Sequence, residues 1–227
     1  MKRWLAAGFG VALASCGGPS PSPAASPALA PRLLPATVPP DVDLVARDTA
    51  VVRGQRVAFD GLPEGLAWPA LDRALSPRAL GATVTLQASR DVAVVDVLRA
   101  AWTARSAVRL QTPDASGVLR VAELHPKDPR PAGASGCHLA VFLRPDGTLR
   151  VAAPGGALEL GGDHPAESLA RSIEVGRAAC PIRYVAFGAD SDAAAWGPVF
   201  DLIVAVDRDR SAGDARYVLG QSMARPK

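Results

Sequence analysis

RYVAFGADSDAAAWGPVFDLIVAVDRDRSAGDARYVLG, residues 183–220, is the stretch from which the fold can be read. An apolar-rich run at 183–187 reads as a strand, and the Gly/Asp-rich turn after it leads into a helix. Trp196, Val199, Phe200, Ile203 and Val206 fall at i, i+3, i+4, i+7 and i+10, which is one face at 3.6 residues per turn. Asp192 suits the N-cap, and Gly213 suits the stop after a last turn rich in Arg. A second strand at 215–219 completes a βαβ unit, whose strands are expected to be parallel and whose crossover right-handed.

The same order recurs upstream. The second half opens with HLAVFLRPDGTLRVAA, residues 138–153, a hairpin turned by Pro145, Asp146 and Gly147. A helix over 165–179 follows, with Pro165 at its first position and Glu167 in its first turn. The first half opens with VDLVARDTAVVRGQRVAF, residues 42–59, read as two alternating strands around Arg47 and Asp48. A short helix over 66–75, interrupted by Pro69, leads to a strand at 82–88. Next comes a helix that places Val94 or Val95, Leu98, Ala101 and Trp102 on one face, with Ser89 or Asp91 as cap. A strand at 107–111 closes that half.

The expected fold is therefore α+β: two tandem two-layer β-β-α-β-α-β units, residues 42–112 and 137–221, each with its helices on one face of a small mixed sheet. Units of this size are marginal alone, so mutual packing or a covalent staple is expected. Residues 113–136 read as a linker that lends an edge strand through VLRVAEL.

Composition narrows the function. The chain has 227 residues, 48% apolar and only 5% aromatic, so its core rests on Val, Leu and Ala. Formal net charge is +3, and no cluster of basic residues interleaves with aromatics, so nucleic acid is not an expected partner. Residues 1–15 have the form of a signal peptide: Lys2 and Arg3, an apolar run from Trp4 to Ala14, and small residues before Cys16. An eleven-residue helix rises only about 16 Å, short of a bilayer core of about 30 Å. Leu13-Ala14-Ser15-Cys16 resembles the lipobox of bacterial lipoproteins, which implies a lipidated Cys16 that anchors the chain in the membrane. Gly17 after the cysteine, rather than Asp, slightly favours the outer membrane, with the folded part on the periplasmic face of the cell envelope. From 17 to 40, eight of the 24 residues are proline, and with residue 41 this forms an extended tether reaching roughly 75 Å.

Residues 183–220 also resemble a known family. Ala189-Asp190 after a strand, an aromatic at Trp196, then Val199-Phe200-Asp201-Leu202-Ile203, and Ala212-Gly213 before a last strand are similar to the periplasmic domain of the ExbD/TolR biopolymer-transport family. In the first half the Ala-Asp pair becomes Ala88-Ser89. The resemblance implies an envelope setting and, with two copies in one chain, a pseudo-dimer. Family members couple proton flow through an aspartate on a transmembrane helix, and no such helix can be read in this sequence.

Few residues carry recognisable chemistry. GxSxG, HExxH, Walker A, GxGxxG and CxxC patterns are absent, and no catalytic residue, cofactor site or metal site is expected. His125, His138 and His164 are scattered, and Cys137-His138 lacks the spacing of a zinc site. Asp190, Asp192, Asp201, Asp207 and Asp209 read as caps and a solvated helix face. Gly155-Gly156 and Gly161-Gly162 read as loops. Trp and Tyr at helical or strand positions read as core.

With Cys16 acylated, Cys137 and Cys180 remain, an even count for an oxidising compartment. One begins a strand and the other ends a helix just before a strand, so a Cys137–Cys180 disulfide is expected. The expected function is a non-enzymatic, lipid-anchored envelope protein, an accessory or scaffold that binds envelope transport components or peptidoglycan. The alternative is a surface-tethered hydrolase. A binding module would show an open sheet edge or an apolar patch, and an enzyme a pocket with convergent titratable groups.

Overall fold

The computed structural model describes residues 34–35, 38–76, 82–125, 137–153, 156–161, 165–180, 182–191, 193–208 and 216–220. After a two-residue strand β1 (Leu34–Pro35), the first unit runs β2 (Val42–Ala46), β3 (Thr49–Val52), β4 (Gln55–Ala58), α1 (Pro69–Leu75), β5 (Val84–Ala88), α2 (Val94–Ala104) and β6 (Val108–Pro113). Strand β7 (Leu119–Leu124) comes between the units. The second unit runs β8 (Cys137–Leu143), β9 (Leu149–Ala153), β10 (Gly156–Leu160), α3 (Pro165–Ala179), β11 (Ile182–Ala189), α4 (Trp196–Arg208) and β12 (Arg216–Leu219).

Two mixed sheets result, with helices packed on them, so the fold is α+β with two sheet units. The first has the order β1-β7-β6-β5-β2-β3-β4 and the second β10-β9-β8-β11-β12. Read from β4 inward, the first sheet repeats the second strand for strand. β2, β5 and β6 are mutually parallel neighbours, as are β8, β11 and β12, while the hairpin strands are antiparallel. Parallel neighbours need a crossover, and the helices α1 to α4 supply it.

Strands β8 and β11 bury alternate side chains over part of their length, as a sheet with one face on the core requires. On β11 Val185 and Phe187 are fully buried while Tyr184 and Ala186 are half-buried, and on β8 Leu139 and Val141 alternate with His138 and Ala140 in the same way. The helices contribute Leu71, Val97, Ala100, Leu169, Ile173, Trp196, Val199, Phe200 and Ile203. All of these belong to one hydrophobic cluster that spans both units.

Several sequence expectations need correction. Each unit has a third strand at its outer edge. Residues 49–58 are two strands rather than one, because Arg53 and Gly54, with φ of 51° and 79°, make a two-residue hairpin turn. Gly156 begins β10 instead of lying in a loop, and all but the last of its residues are exposed, so no apolar period marks it. Pro69 starts α1 rather than interrupting it, since proline at the first helical position forgoes an N–H that has no partner there. Neither Ser89 nor Asp91 caps α2: the Ser89 hydroxyl donates to Asp91 instead, 2.6 Å away. Residues 119–124 do add a strand, but not at the edge: β7 pairs antiparallel with β6 on one side and with the two-residue β1 on the other. No described helix is long and apolar enough to cross a membrane.

Candidate functional site

What caps α2 is the other unit. The N–H of Val94 donates to the carbonyl of Ala194, and the N–H of Trp196 donates to that of Val92, both at 2.8 Å. Ala93 and Ala195 form an antiparallel bridge. They are equivalent positions, each the residue before the second helix of its unit. Equivalent residues that meet antiparallel and exchange bonds define a local two-fold axis. A backbone N–H at each helix start, which would otherwise lack an intrahelical acceptor, is thus satisfied across that axis.

Side chains lock the same junction. Arg90 grips Asp201 of α4 with two parallel bonds, at 2.8 and 2.5 Å, and also donates to the carbonyl of Pro113 at 3.0 Å. The hydrogen bond to Asp201 pushes the Arg90 pKa further up. Gly197 makes room for this: a Cβ there would lie 2.9 Å from the Arg90 Cβ and Nε, while its N–H donates to the Arg90 carbonyl at 2.7 Å. The indole N–H of fully buried Trp196 reaches the Thr112 hydroxyl at 2.9 Å.

Against the C-terminal half of α2 lies a groove of about 350 Å³. Leu98, Ala101 and Trp102 of α2 form one wall, and Val108, Leu124 and Leu219 come from β6, β7 and β12. The His125 N–H donates to the Tyr217 carbonyl at 2.8 Å, holding the ends of β7 and β12 together beneath it. Arg105, Ser106 and His125 supply its polar groups. Arg105 turns left-handed at the end of α2 (φ 51°) and reaches Asp72 at 3.4 Å. Trp68 and Trp196 are 1% and 0% exposed, as core residues should be, but Trp102 is 52% exposed. Its equivalent on α4, counting from Ala93 and Ala195, is Val204, which is 5% exposed. A mostly apolar concavity with a few polar groups at its rim suits apolar side chains or a small ligand.

The residues singled out from sequence are dispersed. Cys137 and Cys180 are disulfide-bonded, with Cα atoms 5.9 Å apart, and pin the end of α3 to the start of β8. Asp190 is paired with Arg150 at 2.6 Å and Asp201 with Arg90, whereas Asp207 is buried on α4. His138 stacks on Tyr184 with ring centroids 5.2 Å apart, and His125 lines the groove. Cys16, His164, Asp192, Asp209, Gly213, and Gly155 and Gly162 of the glycine pairs lie outside the described residues, among which no cluster suits a metal ion.

Sequence reasoning missed the buried ionic centre of the first unit. Arg99 (5% exposed) contacts Asp48 at 2.8 Å, Asp96 at 3.3 Å and the carbonyls of Pro63 and Gly65, with its guanidinium 3.9 Å from the Phe59 ring centroid. Burial raises the Asp96 carboxyl above its ordinary pKa. The available signal was the helical period itself, which puts Asp96 and Arg99 at i, i+3. Each nitrogen of the Arg99 guanidinium has an acceptor within the fold, as a structural ion centre requires.

Comparison with family models, with curated proteins and with solved structures returned no match.

Proposed function

We propose that this chain is a non-enzymatic binding module of the bacterial cell envelope, anchored through a lipidated Cys16 and similar to the periplasmic part of ExbD/TolR transporters. Its Pro-rich tether holds the folded part away from the lipid surface, and the groove against α2 engages an envelope transport component or peptidoglycan. The observation that carries this reading is the half-exposed Trp102 at the mouth of the groove. Aromatic side chains that stay exposed at the edge of an apolar concavity are the usual anchors of binding surfaces. Covalent capture tests it. A photo-crosslinking amino acid at Trp102 should yield a discrete adduct, identifiable by mass spectrometry as an envelope transport protein or a peptidoglycan fragment. The same group at Arg56, on the far edge strand β4, should not. Identical adduct patterns from both positions would remove the groove from the function.

A further inference from the structure

The two copies of the unit end in equivalent edge strands that are finished very differently. On β4 the exposed positions include Gln55 and Arg56, and the carbonyl of its last residue, Ala58, accepts the Trp68 indole N–H at 3.0 Å. A charged side chain and a covered end are the usual means of keeping an edge strand unpaired. On β10 the sequence is Gly-Ala-Leu-Glu-Leu. Its one charge, Glu159, is held by Arg144 of its own chain at 2.9 Å. Leu158 is 55% exposed, although its cross-strand neighbour Val151 is buried to 2%. Among the described residues β10 pairs only with β9, so alternate backbone N–H and C=O groups along five residues face outward.

Water solvates such a row group by group, whereas another extended backbone pairs with it along its whole length. We propose that β10 pairs antiparallel with β10 of a second copy of this chain, joining two five-stranded sheets across a two-fold axis. The sequence fits itself in that register. Centred on Leu158, the pairing sets Leu158 against Leu158, Ala157 against Glu159 and Gly156 against Leu160, with no like charges opposed. Leu158, whose neighbour across β9 faces the core, gains cover on the side it now lacks. The fold already makes a contact of this kind where Ala93 meets Ala195.

Cysteine pairing on the full chain in detergent, with the Cys137–Cys180 disulfide intact, tests the register. Directly opposed residues of an antiparallel pair have Cα atoms about 4.5–5.5 Å apart, within disulfide reach. Leu158→Cys should oxidise to a reducible covalent dimer, and Ala157→Cys mixed with Glu159→Cys should cross-link to each other but not to themselves. Wild type, which carries Cys16, and Arg56→Cys on the equivalent edge β4 serve as controls. Cross-linking of Leu158→Cys no greater than that of Arg56→Cys would overturn the proposal. Cross-linking of Leu158→Cys without the mixed 157–159 product would also overturn it, because collision alone gives that result.

Discussion

At the scale of single residues, Arg99 shows how a charge is kept inside a core built from Val, Leu and Ala. Its guanidinium meets two carboxylates and two carbonyls, and Asp96 beside it is completely buried. Removing one partner of such a pair strands the other in a medium that cannot solvate it, at a cost of about 3–5 kcal/mol. Arg99→Ala is expected to lose that much in urea denaturation, and a loss below about 1 kcal/mol, the scale of an exposed pair, would contradict the description. The ion pair could be guessed from the i, i+3 spacing, but its burial could not, because Asp48 and the 63–65 loop reach it only through the fold. Trp102 was misjudged for a related reason. Periodicity set it on one face with Leu98 and Ala101, yet the fully buried side of α2 is that of Val97 and Ala100, and at 3.6 residues per turn Trp102 lies on nearly the opposite side of the helix.

Among the elements, those with a strong period or a clear end signal were legible: α2 and α4 from apolar spacing, α3 from Pro165 and Glu167 at its start, β8 from the Pro145-Asp146-Gly147 turn and β11 from its apolar run. Those without one, β4 and β10, were lost because an edge strand buries little and so leaves no alternation to read. The caps of α2 and α4 were illegible in principle. Their acceptors are backbone carbonyls of the other unit, and no side-chain type encodes a backbone partner. The disulfide was legible from the cysteine count and from the element ends on which the cysteines sit. It closes a loop with a sequence separation of 43 and ties α3, a helix with several exposed residues, to β8. On the chain-entropy estimate a loop of that size is stabilised by about 4 kcal/mol. Cys137→Ser with Cys180→Ser should therefore lower the unfolding free energy by an amount of that order, measured without reductant against wild type. An unchanged denaturation midpoint would mean that the bond adds nothing to the second unit.

For the whole molecule, the repeated order of strands and helices makes two units, but the bonds at their junction make one structure. Two helix starts exchange backbone hydrogen bonds, Arg90 and Asp201 form a bidentate pair across the boundary, and a single apolar cluster runs through both halves. The groove exists only because the units are held this way, since α2, β6 and β7 line it together with Leu219 of β12. Cooperativity between the units is therefore the central claim, and amide hydrogen exchange on wild type and Gly197→Ala measures it directly. The substitution lies in the second unit and drives a methyl group against Arg90. The predicted result is faster exchange in the core strands of both units, β5 and β11 alike, with the Val94 and Trp196 amides among those that lose protection. Faster exchange confined to the second unit, with β5 and the Val94 amide as protected as in wild type, would contradict it.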